Sequence, residues 1–167
     1  MRTIRAPLLL LGLLYVCFFG CLASSSSQLP DRVATHFNGR GRPNGWMSRD
    51  SHLRSMVVFG LAFPLFVPAL VFASRFLPDR CYNLPRRDYW LAPTRRAQTM
   101  AYLFGHSLWF SPMALCFVIG IHYSIIQANH LGQAHLSNLL ALALAGCFLA
   151  GTAIWVVNMI RHFKQVT

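Results

Sequence analysis

The reactive side chains of this chain are mostly histidines: there are seven, against four aspartates and no glutamate. Imidazole is the commonest protein ligand for zinc and copper, and it changes charge near neutral pH. His36, His122, His130 and His135 are the four a metal would use if they converged. No HxxxH spacing brings two of them onto one helix face, and only Asp31 and Asp50 lie near enough in the chain to help. The expectation is therefore no metal and no other cofactor. Cys17, Cys21, Cys116 and Cys147 sit inside apolar blocks and Cys81 in a basic stretch, with no CxxC pair. That excludes a disulfide framework or a thiolate zinc site. Paired carboxylates, a phosphate loop, HExxH and a Ser/His/Asp arrangement are all missing from the motifs, and Gly39-Arg40-Gly41 lacks the flanking strand and helix of a dinucleotide site. The chain reads as a non-enzyme.

One histidine has a context. His36 lies in Leu29–Arg49, LPDRVATHFNGRGRPNGWMSR, the one long polar stretch rich in turn formers and rings. Val33, Thr35 and Phe37 alternate with Ala34, His36 and Asn38, the period of a short strand. Gly39 to Gly45 follow, with three glycines, Pro43 and Asn44-Gly45. Glycine and asparagine accept positive φ and proline presets φ, so this is turn chemistry with a defined path. Trp46 comes straight after, where a ring packs over a turn or marks a membrane–water boundary. His36 is expected to hydrogen-bond the turn and hold its shape, or else to meet a ligand.

Leu29, Pro30, Thr35, His36, Phe37, Asn38, Gly41, Trp46, Ser48 and basic Arg49 together resemble the domain of unknown function at the N-terminal end of Sdp-type toxin-immunity membrane proteins. Ala34 stands where that family often has Pro, and Met47 where it often has Gly. Asn83–Leu91, NLPRRDYWL, is similar to a stretch after the second span of some members. The resemblance implies a span before the motif, a bacterial inner-membrane location, and a role in immunity to a secreted toxin or in signal relay. It makes Pro30, His36, Phe37, Asn38, Gly41, Gly45 and Trp46 the ligand-binding or loop-shaping set. Asn83, Arg86, Arg87, Asp88 and Trp90 become an inner surface for lipid or a partner.

The elements that must hold these residues are apolar. The chain is 55% hydrophobic and 11% charged, where soluble domains carry roughly 25% charged residues. At 167 residues a core that large is implausible, and membrane spans account for it. Spans are expected at about 6–23, 56–77, 100–126 and 138–160, within a single membrane domain covering residues 1–167. A motif-bearing outer loop at 24–55 and a basic inner loop at 78–99 lie between them. The first block also has the basic start, apolar run and small Gly20 and Ala23 of a signal peptide, but the resemblance favours an uncleaved span. Pro64 and Pro68 share one face of the second block and are expected to kink it. Small residues recur through the fourth, which suits close helix packing.

The fold class is thus all-α integral membrane, four transmembrane helices in two hairpins, with a turn-rich outer loop between helices one and two. With the N-terminus inside, Arg2, Arg5, Arg75, Arg80, Arg86, Arg87, Arg95, Arg96, Arg161 and Lys164 lie inside. Only Arg32, Arg40, Arg42, Arg49 and Arg54 lie outside. That bias puts both termini in the cytoplasm. The net charge of +11 reflects these flanks and not a nucleic-acid surface. The leading function is a non-enzymatic receptor, immunity-like or signal-relay protein, with partners in membrane lipid, a secreted peptide or envelope ligand outside, and a cytosolic protein inside. The alternative is a transporter or a small subunit of a larger assembly, using the polar third block as a path.

Overall fold

A computed structural model describes residues 4–130 and 134–165. Helix α1 is Arg5–Ser25. Strands β1 (Arg32–Phe37) and β2 (Pro43–Ser48) follow as an antiparallel hairpin. Helix α2 is Arg49–Ser74. A 3₁₀ turn at Asp79–Cys81 and the single-turn α3 (Arg87–Trp90) lead to α4 (Arg96–Ser107), α5 (Phe110–Asn129) and α6 (Asn138–Lys164). Four segments are long and apolar enough to cross a membrane: α1, α2, α4 with α5, and α6.

The span limits differ from those expected, for identifiable reasons. Helix α2 starts at Arg49 instead of residue 56, because Ser48 caps it by accepting the Ser51 N–H and Asp50 opens its first turn. This moves His52 and Arg54 out of the loop and into the helix. It also shortens the outer loop to residues 26–48, much of it hairpin. The helix ends at Ser74, where Leu77 N–H turns back to the Ser74 carbonyl. At 26 residues it is about 39 Å long, longer than the ~30 Å hydrocarbon layer. The third span breaks at Leu108–Trp109. Pro112 has no N–H for the Leu108 carbonyl, and its ring crowds that turn. The last helix continues to Lys164.

Helix α5 is the hub. It packs against α1, α2 and α6, and its Leu115, Val118 and Ala114 are fully buried. Phe18, Leu11 and Leu22 of α1 and Met56 of α2 complete that core. The tip of the Phe18 ring lies against Gly60, where any side chain would collide with it. A second apolar cluster, Leu29, Val33 and Ile125, sits beneath the hairpin.

Helix α2 runs unbroken through Pro64 and Pro68. Each proline deprives one carbonyl of its helical donor: Pro64 that of Gly60, Pro68 that of Pro64. Both carbonyls are supplied from neighbouring spans. Tyr15 Oη of α1 donates to Gly60 O at 3.2 Å, and Ser111 Oγ of α5 donates to Pro64 O at 2.7 Å. In a membrane such replacement donors are what makes a helical proline tolerable.

Candidate functional site

The hairpin forms a cap over one end of the bundle. Its tip is shaped by Asn38. The Asn38 Oδ1 accepts from Arg40 N at 2.9 Å and Arg42 N at 3.1 Å, while its own N–H donates to Arg42 O and its carbonyl accepts from Gly41 N. One side chain thus satisfies the donors of a turn too tight for a ladder. Gly41 has φ +74° and lies against the Leu136 carbonyl and the His135 ring, so both its conformation and its space exclude a side chain. Gly45 faces His36 across the sheet, and a Cβ there would lie 2.8 Å from His36 Cβ.

Bonds at three places fix the cap. At the root, Arg49 donates to the Ser26 and Leu29 carbonyls and to Asp31 Oδ1 at 2.8 Å. Asp31 is highly exposed, so the ion pair itself is weak; the carbonyl bonds do the orienting. On the edge, the Asn129 carboxamide of α5 pairs with both backbone groups of Ala34, at 2.8 and 2.9 Å. At the tip, Leu136 N–H donates to Gly41 O and Asn138 Nδ2 to Gly39 O. The cap therefore touches the last loop as well as its own flanking helices. Val33 and Ala34 are both fully buried, Val33 packed with Leu29 and Ile125 and Ala34 at the edge held by Asn129. The cap's outer face shows Arg32, His36, Asn44 and Trp46. The Arg32 guanidinium lies 5.3 Å from the Trp46 ring centre, and His36 Nδ1 lies 3.1 Å from Asn44 Oδ1. A half-exposed indole beside a cation is the kind of anchor that protein surfaces use in recognition.

Beneath the cap is a buried polar chain. His122 Nε2 lies 2.9 Å from Ser25 Oγ, and His122 Nδ1 lies 3.2 Å from His52 Nε2. The three residues come from α5, α1 and α2 and are almost wholly buried. The Ser25 hydroxyl donates to the Leu22 carbonyl at 3.0 Å, which leaves its lone pairs for the His122 Nε2–H. His122 Nδ1 then accepts from His52 Nε2–H. The chain ties three spans together at the cap end.

The expected site residues are distributed as follows. Pro30, exposed, precedes β1; Phe37 is half-buried opposite Pro43; His36, Asn38, Gly41, Gly45 and Trp46 all lie in the cap. Of the candidate metal ligands, His36 meets Asn44, His122 meets Ser25 and His52, His135 lies against Gly41, and His130 follows the end of α5. Among the described residues no group of three metal-ligating side chains comes together. At the opposite end, Asn83 and Arg87 are exposed, and Arg87 reaches Asp88 only at 3.4 Å. Arg86 adopts φ +52° ahead of α3. Trp90 is engaged within the protein: its indole donates to Phe163 O at 3.1 Å and its carbonyl accepts from Thr99 Oγ1. It clamps the basic loop to the end of α6. The sequence places His52 and His122 toward the same outer end, but it does not pair them or point to Ser25; only the shared end of three spans does.

Architecture and composition define a multi-pass membrane protein with four candidate spans and one structured cap. Residues 12–61, from the middle of α1 through the hairpin into α2, match the family described as a domain of unknown function, DUF1648. No curated protein and no solved structure matches the chain.

Proposed function

We propose that this protein is a non-enzymatic receptor of the immunity or signal-relay kind, with the hairpin cap outside a bacterial inner membrane and both termini in the cytoplasm. The observation that carries this reading is the cap itself. It is held at root, edge and tip, so its outer face of Arg32, His36, Asn44 and Trp46 is preorganised for a ligand. The ligand would be a secreted peptide or an envelope component, and the basic end would meet lipid or a cytosolic partner. The transporter alternative draws less support. Ser107, Ser111, Ser124 and Ser25 each give their hydroxyl to a helix carbonyl, which is helix-packing chemistry and not a polar path.

The test begins with sidedness. Arg40→Cys in a Cys81→Ser background should react with a membrane-impermeant thiol reagent on intact cells. Protection until the cells are opened would invert the topology and remove the receptor reading. A deletion strain complemented with Trp46→Ala should then be at least about fivefold more sensitive to secreted peptides than one complemented with the parent, as loss of an indole anchor predicts. Equal sensitivity of the deletion and parent strains would refute an immunity role.

A further inference from the structure

At the end of the bundle away from the cap lies a groove of about 1090 Å³ between the start of α1, α4 and the end of α6. Two helix faces form it. Gln98, Ala101, Tyr102 and Gly105 line it from α4, and Asn158, Arg161, His162 and Gln165 line it from α6 or just beyond. Both sets follow the i, i+3, i+4, i+7 spacing of a single helix face. Arg5 closes the groove from the first turn of α1, and no aspartate lines it. The two guanidiniums thus come from opposite ends of the chain.

The groove wall is ordered. The rings of His162, Tyr102, His106 and Trp155 follow one another, with centres 3.5, 5.8 and 4.9 Å apart. His106 Nε2 meets Trp155 O at 3.0 Å and Trp155 Nε1 donates to His106 O at 2.9 Å, a reciprocal lock between α4 and α6. His106 is the buried member of the lining, and Ile4, Ala101 and Gly105 are its apolar or small members. At Gly105 a Cβ would meet only Ile4, at 3.8 Å, so that glycine leaves room which its backbone does not require.

We propose that this groove is a binding site for one anionic phospholipid, with the phosphate held by Arg5 and Arg161 and the first methylenes of the acyl chains lying along Ala101 and Gly105. Among the described residues the lining carries two arginines and no aspartate, which fits a phosphodiester. The volume is at the upper end of ligand pockets, roughly 300–1,000 Å³, so it takes more than a free anion. The groove opens where three candidate spans end, the depth at which headgroups lie. Helix α6 beside it carries strongly exposed Ile154 and Val157, a surface that continues the path of a lipid tail.

The full-length protein, delipidated in detergent, would be titrated with phosphatidylglycerol and phosphatidylcholine of matched acyl chains and read by native mass spectrometry. Wild type should prefer phosphatidylglycerol by about thirtyfold, as two basic residues near a headgroup predict. Arg5→Gln with Arg161→Gln should bring the two lipids to within about twofold. Arg40→Gln with Arg42→Gln, at the tip of the cap, should leave the preference intact. Ala101→Trp, which fills the groove and keeps both arginines, should also lose bound phosphatidylglycerol, and this variant carries the test if the double arginine variant does not fold. An undiminished preference in either groove variant overturns the proposal. So does displacement of phosphatidylglycerol by millimolar inorganic phosphate, which would assign the site to a soluble phosphorylated ligand. The receptor reading rests on the other end of the molecule and is unaffected by either result.

Discussion

His122 bears the largest share of the polar chain under the cap, because it has two partners where Ser25 and His52 each have one within it. Replacing it with leucine leaves the Ser25 hydroxyl with its Leu22 bond alone and the buried His52 imidazole without its acceptor, at a cost of about 1–3 kcal/mol for the unsatisfied group. His122→Leu should therefore lower the melting temperature in detergent more than Ser25→Ala does, and His122→Gln should recover part of the loss. A His122→Leu protein that melts with wild type would mean the chain contributes nothing to stability. Asn38 was legible in the sequence, since an asparagine before a glycine-rich turn has an obvious set of backbone donors within reach. The Ser25–His122 pair was not. It joins residues 97 positions apart, and nothing about a serine at a helix end or a histidine in an apolar block marks the partner.

At the scale of elements, the two prolines of α2 show how a local defect is absorbed by its neighbours. Ser111→Ala should destabilise the protein by about 0.6–1.7 kcal/mol, the range for hydrogen bonds between spans. Pro68→Ala restores an N–H that can reach the Pro64 carbonyl, so in that background Ser111→Ala should cost close to nothing. A double-mutant cycle in which the two effects simply add would show that the Ser111 bond is incidental. The prolines themselves predicted a kink, and the carbonyls they orphan could have been named from the sequence. The donors could not, because Tyr15 and Ser111 lie on other helices and their facing depends on packing. Pro112 was different. The break it causes at Leu108–Trp109 needed only the rule that proline spares the fourth carbonyl before it, but the length of the apolar block concealed it. The start of α2 was similar: its charged first turn looked like loop.

For the whole molecule, the apolar blocks made the four spans readable, since period and length suffice when the solvent is lipid. What period and length do not encode is which span sits in the middle. Helix α5 holds that place because it reaches both the core and the cap, through Leu115 and Val118 below and Ile125 and Asn129 above. Asn129→Leu should therefore act at a distance from its own helix. The cap loses its tie to the bundle, and cleavage within residues 38–42 by a protease added on the cap side should speed up by about fivefold, as loss of roughly 1 kcal/mol of closure predicts. The spans themselves should remain protected. Unchanged cleavage would show that root and tip suffice to hold the cap.

The Asn129 carboxamide offers one N–H donor and one carbonyl acceptor to the free side of β1, the same pair that another strand would offer. It is a one-residue stand-in for a third strand. An uncovered strand edge is an invitation to any other extended chain. By occupying the β1 edge at Ala34 from within, the protein blunts that edge as a template, so that this side of the cap displays side chains where it would otherwise offer backbone.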